Sequence, residues 1–168
     1  MNNVKKLTTA GLLVACGVVF STFYIPIGAA KCFPIQHIIN VLAGVFLGPA
    51  YAVGMAFSTS LLRNILGTGS LLAFPGSMIG AFCCGMLFKY SKKLWLAYFG
   101  EVIGTGILGA LAAFPVATLI LSKEVALFAY VIPFILSTLG GSTISIFLIN
   151  VLQRTKVLSL LKTSTGHQ

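Results

Sequence analysis

The chain has 168 residues, 58% of them hydrophobic and only 8% charged, and carries a formal net charge of +9. A soluble domain carries about a quarter charged residues, so this sequence cannot cover a water-facing surface and reads as an integral membrane protein. The basic excess does not point to nucleic acid, because the lysines and arginines stand at the ends of apolar runs rather than on a polar domain.

At about 20 apolar residues per crossing, the length suits about six spans in one domain over residues 1–168. The helix breakers cut the chain accordingly. Span one covers 6–27. It is long, has no clear A-x-A cleavage site and is followed by further apolar runs, so it is expected to be retained rather than removed as a signal peptide. Its residues Thr8, Gly11 and Ala15 form a small face at helical spacing, of the kind that admits another helix. "GAAKCFP" (Gly28 to Pro34) reads as a loop, with Pro34 suited to the first turn of span two, 34–47.

"LGPA" turns the chain into span three, 51–66, and "GTGS" (Gly67 to Ser70) turns it into span four, 71–90. Pro75 then falls in a first turn, where a missing N–H costs little. "SKK" leads to span five, 94–121, with Gly100 and Gly104 in a GxxxG that reads as internal packing. "SKE" leads to span six, 125–152, with Ser137, Gly141 and Ser145, and a basic tail follows. The expected fold is all-α, a bundle of six transmembrane helices.

Charge orients it. With the N-terminus inside, eight basic residues lie on the inner side (Lys5, Lys6, Lys89, Lys92, Lys93, Arg154, Lys156, Lys162) and three on the outer (Lys31, Arg63, Lys123). Cytoplasmic flanks carry the lysine and arginine excess, so both termini are expected in the cytoplasm of a multi-pass cell-membrane protein.

Several chemistries lack their residues. There is no G-x-x-x-x-G-K-[ST] and no H-E-x-x-H, and no G-x-S-x-G surrounds Ser77. Cys16, Cys32, Cys83 and Cys84 do not have zinc-site spacing. No enzyme, metal or cofactor is expected.

What remains is a set of polar groups at membrane depth. On span two, Phe33, Gln36, His37 and Asn40 share one face. Arg63 and Asn64 end span three, Phe74 and Ser77 begin span four, and Glu101 and Thr105 lie four apart on span five. Glu101 and Glu124 are the only acids. Polar groups in lipid need partners, and ionisable ones there are candidate functional groups. By helix rise, Asn40 and Glu101 lie about 12 and 10 Å above the inner surface and Arg63 about 20 Å. The ten residues would line a slot open to the outside. Arg63 has two readings, holding the "GTGS" turn from the outer interface or pointing inward. The roughly 10 Å offset from Glu101 favours the first.

"RNILGTGSLLAFPGSMIGA" (Arg63 to Ala81), "PIQHIINVLAGVFLGP" (Pro34 to Pro49) and "GEVIGTGILGALAAFPVA" (Gly100 to Ala117) resemble the ThiW family, S components of energy-coupling factor (ECF) vitamin transporters. The resemblance implies a substrate-binding subunit that takes a thiamine precursor from outside, with hydroxyethylthiazole the usual substrate. It also implies docking through span one onto a transmembrane T component carrying two ATPase subunits. The family's docking motif is Ala-xxx-Ala, which Gly11 and Ala15 match with a glycine at the first position. A pyrimidine precursor, thiamine itself, or a stand-alone carrier or channel for a small heteroaromatic solute are the alternatives.

Overall fold

The computed structural model describes residues 3–27 and 30–154. Helix α1, Asn3–Val19, runs into a 3-10 turn, Phe20–Thr22. Strands β1, Ile25–Ile27, and β2, Ala30–Cys32, pair antiparallel with Ile25 opposite Cys32. Then come α2 (Pro34–Phe46), α3 (Pro49–Ile65), α4 (Ala73–Ser91), α5 (Leu94–Ile120) and α6 (Val131–Arg154). Asn3–Thr22, Leu94–Ile120 and Val131–Arg154 are long and apolar enough to cross a membrane. Helix α2 has 13 residues and rises about 20 Å, less than the ~30 Å of a bilayer's hydrocarbon.

Breakers set the boundaries as the sequence suggests. Pro34 opens α2 and Pro49 opens α3. Gly48 between them sits at φ 92°, a backbone conformation that a side chain disfavours. Lys92 ends α4 in the left-handed region at φ 57°. Two stretches differ from the sequence reading. Span one stops being helical at Thr22, and the chain turns into the β hairpin, where β-branched Ile25 and Ile27 flank a proline that cannot continue a helix. Span six starts at Val131 rather than at residue 125. Ser122, at φ 50°, closes α5, with the Lys123 N–H donating to the Ala117 carbonyl (2.9 Å). The loop residues Gly28 and Ala29 and the basic tail with Lys156 and Lys162 lie outside the described residues.

Helix α4 is the centre of the bundle and packs on α2, α3 and α5. Its contact with α5 is a seam of glycines. A Cβ on Gly104 would lie 2.9 Å from the Gly80 Cα, and one on Gly109 would lie 2.6 Å from the Gly76 Cα. Small residues at such a seam bring two backbones into van der Waals contact, and this places the polar groups of α4 and α5 within bonding distance of α2. The C-terminal two thirds of α5 include two π-helical segments, Gly104–Gly109 and Val116–Ile120. Helix α1 packs at the side, against α3 and α2, through Ala10 and neighbours in one apolar cluster with Ile39, Ala52 and Met55. Gly11 and Ala15 are exposed on α1, as are Leu7, Leu12 and Val19, and Gly11 borders the groove between α1 and α3.

Candidate functional site

The polar residues of α2, α3, α4 and α5 form one connected network. Its anchor is Glu101, whose side chain is 0% exposed. One oxygen, Oε1, accepts from His37 Nδ1 (2.9 Å), Asn40 Nδ2 (2.9 Å) and Thr105 Oγ1 (3.1 Å). Asn40 Nδ2 also reaches the Ser77 carbonyl (3.2 Å), so a single amide ties α2 to both α4 and α5. Gln36 extends the chain outward. Its Nε2 donates to Asn40 Oδ1 (3.3 Å) and its Oε1 accepts from Arg63 Nη1 (3.1 Å). Every link is a donor meeting an acceptor, as buried polar groups require. Ser77 adds a contact to Ser60 (3.2 Å) and bonds its own helix at the Ala73 carbonyl (2.7 Å).

Arg63 does not turn outward as the sequence reading favoured. Its side chain is 1% exposed and lies over the Phe33 ring, with Cζ 3.8 Å from the centroid. A guanidinium face stacks well on an aromatic ring because it is planar and weakly hydrated. The turn over Gly67 to Ser70 is held by other atoms. The Arg63 carbonyl accepts from the N–H groups of Thr68 and Gly69 (both 2.9 Å), and Asn64 Nδ2 donates to the carbonyls of Ser60 (2.7 Å) and Ser70 (3.2 Å). Both glycines of the turn are needed. Gly67 has φ 74°, and a Cβ on Gly69 would come within 2.9 Å of the Arg63 and Asn64 backbones. Arginine and asparagine therefore stand beside this turn for separate reasons, one facing in and the other fastening the loop. Arg63 and Glu101 share no direct bond, and Gln36 and Asn40 stand between them.

Beside this network is a cavity of about 430 Å³, a size in the range for small-molecule sites. Phe33, Gln36, His37, Arg63, Asn64, Ser77 and Thr105 line it. Asn40, Phe74 and Glu101 do not. Asn40 and Glu101 are one layer behind, covered by His37 and Thr105, and Phe74 pairs with Phe57 (5.6 Å between centroids) away from the cavity. The lining also includes residues that the sequence reading did not choose: Lys31, Cys32, Leu72, Leu121, Lys123, Phe134 and Ser137. Lys31 and Lys123, whose only signal in the sequence was the outer-side charge count, line this cavity together with Arg63, and its lining residues include no carboxylate. Ser137, which looked like a packing residue of span six, presents a buried hydroxyl without a partner among the described residues.

The lining sorts into an apolar clamp and directed polar groups. Phe33, Leu72 and Phe134 offer flat or bulky apolar surface. His37 gives Nδ1 to Glu101, which leaves Nε2 for the cavity side. Neutral imidazole with its proton on Nδ1 accepts at Nε2. Arg63 gives Nη1 to Gln36, while its Nε and Nη2 have no partner. The site thus combines apolar wall surface with the Nε2 edge of His37, while the unpartnered Arg63 nitrogens are sealed within its wall. Among the described residues no cluster of histidine, cysteine or acid side chains suits a metal ion.

The family model described as "Thiamine-precursor transporter protein (ThiW)" matches residues 7–155. No curated protein and no solved structure matches the chain.

Proposed function

Since the chain belongs to the ThiW family of thiamine-precursor transporter proteins, we propose that it is the membrane subunit that captures the precursor from outside, and that the precursor is hydroxyethylthiazole. The observation that carries this reading is the cavity with its apolar wall and the Nε2 edge of His37. A small heteroaromatic ring has apolar wall to lie against in Phe134 and Leu72, since Phe33 gives a ring face to Arg63. His37 Nε2 accepts from the ligand's hydroxyl. Intact thiamine carries a fixed positive charge, which Lys31, Arg63 and Lys123 oppose.

The chain has no P-loop motif, so uptake driven by ATP needs a partner that hydrolyses it. In our reading this is the ECF T component with two ATPase subunits, docked on the exposed face of α1 at Gly11 and Ala15. A Cβ on Gly11 would meet nothing within 4 Å, so the helix there is open to a close neighbour. The experiment is calorimetric titration of the purified chain alongside an uptake assay with the energising module. A ligand of about nine non-hydrogen atoms gains at most ~1.5 kcal/mol from each, which leaves room for the roughly −8 kcal/mol of micromolar binding and more. Sub-micromolar binding of the thiazole alcohol is expected, with weaker binding of thiamine. Gly11→Trp should bind as the parent does and transport nothing. Tight thiamine binding with no thiazole binding sinks the substrate, and normal uptake by Gly11→Trp sinks the docking face.

The same reading places six crossings in the membrane with both termini cytoplasmic, on the strength of the charge bias. Single cysteines at Lys31 and Lys123, in a chain whose own cysteines are replaced, should react with an impermeant thiol reagent from outside. One at Lys92 should stay unlabelled, and outside labelling there contradicts the topology.

A further inference from the structure

We propose that the groove between α1 and α3 seats one anionic phospholipid, with an acyl chain along the groove and the phosphate at Lys6. Neither the cargo nor the docking reading enters it, and the proposed topology serves only to name the leaflet, the cytoplasmic one.

The groove is separate from the cavity and shares no lining residue with it. It measures about 540 Å³ and is walled by Leu7, Gly11 and Val14 of α1 and by Tyr51, Gly54 and Ser58 of α3. The two helices touch at its floor, where Ala10 and Met55 share an apolar cluster. Above the floor, nothing lies within 4 Å of a Cβ built on Gly11 or on Gly54. The trough is therefore not filled by the chain's own side chains at these two positions, and a bilayer offers acyl chains to fill it. From Leu7 to Val14 it rises about 10 Å, within the ~15 Å of hydrocarbon in one leaflet. Its depth thus suits a chain that descends from headgroups at the N-terminal end of α1.

Charge at that end selects the headgroup. Lys6 directly precedes the first groove residue and is half-buried, and its Nζ lies 5.9 Å from the centroid of the Tyr51 ring, a groove wall. A cation attracted to a ring face in this way is kept near the mouth of the groove. Lys5 stands beside it in sequence. Lys89, Lys92 and Lys93 lie at the same end of the bundle, where a Cβ on Gly85 of α4 would meet Pro49 at the start of α3. Neither acid of the chain is there. Glu101 is buried in the polar network, and Glu124 follows Lys123 between α5 and α6. A phosphate at Lys6 meets no competing carboxylate, and basic residues at a membrane surface favour anionic lipids. Lipid around the rest of the apolar surface has no such cation at the head of a groove and is not selected by charge.

The test is native mass spectrometry of the full chain released from detergent, titrated with dioleoyl phosphatidylglycerol and with dioleoyl phosphatidylcholine. One phosphatidylglycerol should stay bound, about fivefold tighter than phosphatidylcholine, the worth of one lysine beside an anionic headgroup. Lys6→Gln should bring the two lipids level. Lys92→Gln removes the same charge from the same end and should keep the preference. Gly54→Trp and Ser58→Phe, which fill the groove at different heights, should each shed both lipids while melting as the parent does. Equal retention of the two lipids by the parent overturns the anionic seat. Equal losses in Lys6→Gln and Lys92→Gln overturn it in favour of diffuse attraction to a basic surface. Lipid kept by both groove variants overturns the placement in the groove. A dimer that lipid does not dissociate gives the groove to a second copy. No retained lipid, with uptake lost in Ser58→Phe, gives it to a helix of the powered partner. Either result overturns the lipid, and neither touches the thiazole reading, which calorimetry tests separately.

Discussion

Glu101→Ala is expected to be the most damaging single substitution in the chain, lowering stability by about 3 kcal/mol or more and abolishing ligand binding although Glu101 does not face the cavity. The side chain is 0% exposed and its Oε1 receives His37, Asn40 and Thr105. Its removal leaves three donors from two helices without their acceptor. Breaking a buried charged partnership in this way costs about 3–5 kcal/mol in proteins generally. His37 then loses the bond that fixes its tautomer and ring orientation, and the cavity loses its placed acceptor. Glu101→Gln is the informative companion. A carboxamide oxygen still accepts at the Oε1 position, and its NH2 falls at the Oε2 position, which has no partner to lose. It should retain the fold with a loss of about 1–3 kcal/mol. Thermal unfolding in detergent and dissociation constants for both variants decide it. Wild-type melting of Glu101→Ala would mean that the network is not an anchor.

The second large effect is a contrast between two glycines. Gly109→Ala should destabilise by about 1–3 kcal/mol, the usual range for overfilling a packed contact. The added methyl would sit 2.6 Å from the Gly76 Cα and 3.0 Å from its carbonyl oxygen, and backbone cannot move aside as a flexible side chain can. Gly140→Ala should stabilise by up to about 1 kcal/mol, since alanine is the better helix former and nothing lies within 4 Å of its new Cβ. Each carries the same chemical change on a membrane helix, so the comparison isolates the seam. Equal melting temperatures for the two variants would show that α4 and α5 are not in backbone contact.

Much of the helical order was legible because proline and glycine punctuate the chain. Pro34, Gly48, Pro49 and Gly67 all act at helix ends. The polar face of α2 was also legible, since helical spacing alone puts Gln36, His37 and Asn40 on one side. What spacing does not reveal is depth behind that face. Asn40 and Glu101 carry the same sequence signal as His37, yet only the packing of α4 against α5 decides that they stand behind the cavity wall. The inward turn of Arg63 was hidden for a related reason. Its alternative partners, Phe33 and Gln36, lie about thirty residues away, whereas the outer turn lies next to it. The β hairpin was missed because three-residue strands are too short to show alternation. The π-helical turns of α5 were missed because a GxxxG pattern reads the same in either helix.

The position of α1 has a consequence for how variation in this chain combines. No residue of α1 lines the cavity. One polar tie between this end of the molecule and the turn near the cavity is the hydroxyl pair Ser21 and Thr68, 2.9 Å apart. Effects at well-separated sites without shared partners add. Changes on the exposed face of α1 and changes among the cavity residues are therefore expected to combine arithmetically, and epistasis between them would run through the packing of α1 on α2 and α3 together with that pair of hydroxyls.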